Sequence, residues 1–289
     1  MGAMTPMRYA ERYLKLEVPF DDGPVWVQIR KYHIGTPDAE QGLLWQALKD
    51  YFNKQQKAQA DFRLRVRVDW DTTDFASAHS MLHRVVDPFW GKGTPEDCQI
   101  VLQLAVLLGR VPSKLALQSY ADAHLGLDCN GFVGNYLFRV LGSKGWRTDA
   151  PARGASPRAT ITDIMASAGG TEIHTVDQVT PGRMYVLAEV DANNRIIAGG
   201  PSSAPGHIVI TEPGLYMGSY TSMNLDIADS GALGAPAVWG VESAGGIGLV
   251  QSWYAITQLK SGNKPVEGVF RVFRASRQRF LNFRMIALN

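Results

Sequence analysis

The apolar positions change rhythm along this chain. In the first half most recur at the helical interval, and from Met184 onward they come in short runs that read as strands. Tyr13-Leu14-Lys15-Leu16-Glu17-Val18 alternates, Asp21-Asp22-Gly23-Pro24 turns and Val25-Trp26-Val27-Gln28-Ile29 returns, so residues 12–34 predict a hairpin. Thr36-Pro37 predicts a helix start, with Thr as cap and Pro at the first position, leading through Leu43, Leu44, Ala47, Leu48 and Tyr51. Phe62 to Trp70 alternates again, with Arg63, Arg65 and Arg67 on a solvated face. Asp74 caps a helix from Phe75 to about Val86. Thr94-Pro95-Glu96 starts another that carries Ile100, Leu102, Leu104, Ala105 and Leu108, and Lys114 to His124 forms a third. Asp128 caps a helix running from Cys129 to about Leu141, ended by Gly142.

Residues 143–159 are rich in Gly, Ser, Pro and Arg and read as a loop. Strands follow at Met184–Val190, Ile196–Ala198, His207–Thr211, Ala237–Ser243, Val269–Phe273 and Phe280–Ile286. Residues 212–236 form a long connection without strong periodicity, a length that usually carries function or motion. Helices followed by strands predict an α+β fold, with a helix bearing the cysteine packed on an antiparallel sheet. The expected organisation is an N-terminal extension or small α/β module over 1–90 and a catalytic domain over 91–289.

Composition is that of an ordinary globular protein: 289 residues, 45% hydrophobic, 19% charged, net charge +2. The charge gives no reason to expect nucleic acid. No apolar run is long enough to span a membrane, and Met1 to Phe20 lacks the apolar core of a secretory signal. The reading is synthesis in the cytoplasm, with any export through a specialised machine. Two cysteines, Cys98 and Cys129, are too few for a disulfide framework.

Candidate chemistry begins at Leu127-Asp128-Cys129-Asn130-Gly131-Phe132-Val133. A thiolate is the reactive form of cysteine, and a helix N-terminus stabilises it through unpaired backbone N–H groups and the helix dipole. The same N–H groups can hold an oxyanion during acyl transfer. The bland alternative is a buried core cysteine. In Ala204-Pro205-Gly206-His207-Ile208-Val209-Ile210-Thr211 a histidine opens a β-branched run, where it can face whatever packs on the sheet. A base must lie within hydrogen-bond reach of its nucleophile. His79 and His83 share a helix face but lack a third metal ligand, and Gly245-Gly246-Ile247-Gly248 lacks the residues of a phosphate loop. Arg271, Arg274, Arg277, Arg279 and Arg284 read as a solvated basic surface. No cofactor or metal is expected.

Together, Asp128-Cys129-Asn130-Gly131-Phe132-Val133, Pro181-Gly182-Arg183-Met184 and Gly206-His207-Ile208-Val209-Ile210 resemble the NlpC/P60 family of cysteine peptidases, over roughly residues 113–275. Cys before His matches the family's unpermuted order. Asn130 stands where the family has Ser, and the family's Tyr-x-Trp-Gly-Gly stretch is missing. The resemblance implies a papain-like fold and an amide-bond hydrolase acting on peptidoglycan stem peptides. It implies Cys129 as nucleophile, His207 as base and a polar group from the next strand to orient the imidazole. Glu242 is the choice for that group, with Ser243, Asn224 and Asp226 as alternatives. Asp128, Asn130 and Tyr120 are the candidates for oxyanion and support roles. Two other readings stand beside this one: a protease, deamidase or acyltransferase acting on protein or lipid, and an inactive binding domain. Without a secretory signal, the hydrolase reads as a toxin exported by a specialised machine, with an immunity or inhibitor protein as its partner.

Overall fold

The computed structural model describes residues 4–18, 20, 22–33, 38–54, 84–141, 159–199, 206–216, 237–244, 248–274 and 278–288. The fold is α+β, with several helices and a large antiparallel sheet. Two compact units are formed. The first comprises Met1–Tyr9, Tyr136–Glu242 and Val250–Asn289, and the second Ala10–Asn135 and Ser243–Leu249. The expected division at 90/91 is not where they part. Residues 10–33 belong with 84–135, because Tyr13 Oη donates to the Gly93 carbonyl at 3.0 Å and the first strand packs on the helix that starts at Pro95.

The chain opens with helix α1 (Pro6–Leu14), where the sequence had suggested that the hairpin already begins. Tyr9, Ala10 and Tyr13 are buried while Glu11 and Arg12 are exposed, which is a helical stripe. The alternation therefore shrinks to β1 (Leu16–Val18) and β2 (Val25–Val27), paired antiparallel. Helix α2 (Ala39–Lys54) begins after Asp38, whose Oδ1 accepts from Glu40 N at 2.7 Å, and the expected start at Thr36-Pro37 lies outside the described residues. Helix α3 (Pro95–Leu107) starts with Thr94 and Asp97 in a reciprocal capping box. Its buried residues include Ile100, Val101, Leu102, Leu104 and Ala105 in close succession. A helix apolar on nearly every side must be surrounded, and α3 packs against β1, α2 and helix α4 (Leu117–His124). Helix α5 (Cys129–Arg139) follows. The expected strand at 62–70, most of the helix at 75–86 and the loop at 143–158 lie outside the described residues.

In the first unit a short helix, α6 (Ile161–Ser167), and strand β3 (Thr171–Glu172) precede the main sheet, β4 (Tyr185–Glu189), β5 (Ile208–Tyr216), β6 (Ala237–Ala244), β7 (Gly248–Ser261), β8 (Lys264–Arg274) and β9 (Arg279–Ala287). Strand order is β3-β9-β4-β5-β6-β7-β8. Because β9 pairs with β8 as well as with β4, strands β4 to β9 close into a ring. The sequence missed β7 altogether. Ile196 forms only an isolated bridge to Val190.

Side chains alternate across a strand, so ring closure divides every strand into inner and outer residues. Tyr185, Leu187, Val209, Tyr254, Ile256, Phe270, Val272, Phe283, Met285 and Ala287 form the inner cluster. Gly240 makes room there: a Cβ would meet the Ile210 carbonyl at 2.6 Å and the Tyr254 ring at 3.0 Å. On the outer face Trp253, Ala255 and Phe273 form a smaller cluster with Phe280. No helix among the described residues is long and apolar enough to cross a membrane.

Phe270→Ala is expected to lower stability by about 3–5 kcal/mol, because it leaves a cavity within the ring. Leu115→Ala, at a position 91% exposed, should change it by less than about 0.5 kcal/mol. Denaturant midpoints of the two variants check the contrast.

Candidate active site

Cys129 occupies the first position of α5 in the second unit. The segment before it is held from three directions. Leu127 N donates to the Lys31 carbonyl (2.9 Å), His33 N to the Leu127 carbonyl (3.3 Å) and Asp128 N to the Gly91 carbonyl (3.0 Å). Ser243 Oγ adds a 2.5 Å bond to the Leu127 carbonyl, so this alternative to Glu242 is committed to the backbone. Asp128 caps the helix as expected, its Oδ1 accepting from Gly131 N at 2.5 Å. A Cβ on Gly131 would run into the Gly91 carbonyl, so glycine lets that strap lie against the first turn.

The other carboxylate oxygen of Asp128 pairs with Lys92 Nζ, and both side chains are buried. Burial pushes the Asp128 carboxyl up, and the Lys92 charge only partly opposes it. Asn135 Nδ2 bonds the Lys92 carbonyl at 2.8 Å, which ties the lysine segment to the same helix. Cys129 is 4% exposed, and its Sγ lies 3.5 Å from Asn130 Oδ1. Cys98 is fully buried within α3, and burial followed by the Asp97 and Glu96 charges pushes its thiol well up. Such a thiol is chemically inert.

Tyr120 lies on α4 and sends its hydroxyl to Glu40 Oε1 at 3.3 Å, not to an open site. Arg110 grips the same carboxylate through Nε (2.9 Å) and Nη2 (2.7 Å). Burial and the nearby Glu40 charge hold the phenol in its protonated form. These contacts make Tyr120 a packing residue of α2 and α4.

His207 and Glu242 lie in the first unit, at one end of the strand ring. Ile210 stands opposite Val241, so Val209 and Glu242 project to the same, inner face, and His207 follows Val209 by alternation. His207 Nε2 lies 2.7 Å from Glu242 Oε2. The same oxygen accepts from Arg274 Nη2 at 2.6 Å, and that nitrogen is 3.0 Å from His207 Nε2. Glu242 and Arg274 are 0% and 2% exposed. With its proton on Nε2 the ring donates to the Glu242 carboxylate, and Nδ1 is then the basic atom of the neutral ring.

Arg274 is a correction to the sequence reading, which placed it on a solvated surface. Phe270, Val272 and Arg274 share a parity on β8, and that parity faces inward. The signal was present but ambiguous, because Val269 and Phe273 are apolar on the opposite parity. Glu189, whose N–H bonds the His207 carbonyl at 2.9 Å, adds a second carboxylate to this end. Burial raises its pKa, while Arg274 and Arg279 pull it down. Tyr254 is fully buried, and burial together with the Glu242 charge pushes its phenol well up.

Asn224, Asp226, His79, His83 and Gly245–Ile247 lie outside the described residues. Among those described, no group of three or more His, Cys, Asp or Glu could hold a metal ion. No protein-family model, curated protein or solved structure matches this chain. The site is therefore read from its own chemistry.

The Lys92–Asp128 pair gives a direct test. Lys92→Met alone should cost about 3–5 kcal/mol, because it leaves a buried carboxylate unpaired. Lys92→Met with Asp128→Asn keeps a capping oxygen and removes both charges. The double variant should be more stable than the single Lys92→Met variant in denaturant unfolding.

Proposed function

We propose that the chain is a cysteine hydrolase of papain-like, NlpC/P60-like type that cleaves amide bonds in peptidoglycan stem peptides. The observation that carries this reading is the buried His207–Glu242 pair, whose Nε2 to Oε2 distance is 2.7 Å. A histidine fixed in one tautomer by a carboxylate is what a general base requires. Cys129 at the start of α5 supplies the second element, a thiol beside helix N–H groups.

In the proposed reaction His207 Nδ1 accepts the Cys129 thiol proton as sulfur attacks the amide carbonyl carbon. The oxyanion is held by N–H groups at the start of α5. The tetrahedral intermediate collapses, the C–N bond breaks, and the imidazolium returns its proton to the leaving amine. A thioester remains. Water then attacks it while giving a proton to His207, and the acid leaves as the thiol is restored. Glu242 keeps the ring oriented and stabilises its protonated form. Asp128 and Asn130 act through the helix start. The choice of peptidoglycan rests on the resemblance of the three sequence motifs. A toxin with this substrate would leave the producing cell by a specialised machine and be neutralised there by a cognate immunity protein.

Mass spectrometry of peptidoglycan fragments incubated with the enzyme tests this directly. Wild type should yield new stem-peptide products and Cys129→Ala none. His207→Ala should lose at least about a hundredfold in rate, the usual contribution of a positioned general base. A wild type that leaves the fragments intact would contradict the substrate assignment.

A further inference from the structure

Arginine is almost never fully buried unless it is paired. Arg274 is buried at the last position of β8, opposite Tyr254 of β7. Its Nη2 reaches Glu242 Oε2 at 2.6 Å and His207 Nε2 at 3.0 Å, and its Nε has no hydrogen-bond partner among the described residues. A salt link to Glu242 alone would not need the guanidinium against the imidazole. Where water cannot screen them, a guanidinium and an imidazolium in contact repel. With a neutral ring the charges of Arg274 and Glu242 cancel. A protonated ring leaves the cluster one positive charge in excess.

The other groups on this end of the ring do not supply the same effect. Glu242 from β6 and Glu189 from β4 both favour a protonated imidazole when ionised, and burial weakens Glu189 as an anion. Tyr254 from β7 stays uncharged. Arg279, at the start of β9, is exposed, and solvent screens it.

We propose that Arg274 is a positioning residue for the Cys129–His207 reaction, holding Glu242 as a carboxylate and His207 in the neutral, proton-accepting form. Its purpose rests on the hydrolase reading. The charge coupling does not. Without Arg274 the buried His207 ring, facing Glu242 alone, would take up a proton more readily.

The test is an NMR titration of the His207 ring, with its signals assigned by their loss in His207→Asn. Wild type and Arg274→Lys should titrate within a few tenths of a pH unit of one another. In Arg274→Gln the midpoint should rise by about one pH unit or more, the usual effect of a neighbouring charge. In Glu242→Gln, with Arg274 left alone beside the ring, the midpoint should fall below the ordinary histidine value of about 6.5. Circular dichroism identifies folded variants, and either charge-removing variant suffices. A folded Arg274→Gln with an unmoved or lowered midpoint would overturn the proposal, as would a folded Glu242→Gln at or above the ordinary value. The expected shifts without any peptidoglycan cleavage would sink the substrate and keep the role of Arg274. Cleavage by wild type with an unmoved titration would do the reverse.

Discussion

Closing β4 to β9 into a ring leaves the inner side chains no route to water except at the ends, so each polar group there must find its partner inside. His207, Glu242 and Arg274 meet that constraint at one end. A single carboxylate oxygen faces the imidazole at 2.7 Å and the guanidinium at 2.6 Å. Remove any one of the three and the other two are left with a buried charge or dipole uncompensated. The apolar layers below, from Val209 and Tyr254 to Phe270 and Phe283, fix the strands that place these three groups.

The second unit handles a similar problem with different means. A buried aspartate, Asp128, caps the helix that begins with Cys129 and is matched by Lys92. Gly131 lets the Gly91 carbonyl lie against that first turn, and Leu127 is bonded on both its backbone groups. The result is a cysteine whose backbone is over-determined by its neighbours, the kind of rigid support that a nucleophile needs if its attack geometry is to be reproducible. Cys98 shows the contrast. It too lies on a helix, but within apolar α3 and beside two acidic residues that disfavour its thiolate.

Much of this was legible in the sequence where one local signal decided the structure. Thr94-Pro95 with Asp97 marks the start of α3, and Asp128 the start of α5, because caps act within one turn. His207 opening a β-branched run and Glu242 on a later strand were readable as inner-face groups only through pairing register. The sequence placed them on suitable strands, and the 2.7 Å contact is a product of tertiary structure. Strand β7 was invisible because Gly248-Leu249-Val250-Gln251-Ser252-Trp253 mixes apolar and polar residues without clean alternation, as a strand with buried residues on both faces does. Helix α1 was read as strand from Tyr13 because Tyr13-Leu14-Lys15-Leu16 fits a period of two over a window too short to exclude the helical one. Arg274 was missed for a related reason: with apolar residues on both parities of β8, only ring closure says which face is inside.

The proposed hydrolase reaction requires the Cys129 thiol to give its proton to the His207 imidazole. Its most direct test is the rate of Cys129 alkylation by iodoacetamide across pH, in wild type and in His207→Ala. The account predicts that the wild-type rate rises through the titration of His207, well below an ordinary thiol near 8.5, and that His207→Ala retains only the ordinary thiol limb. Superimposable profiles for the two proteins would contradict it.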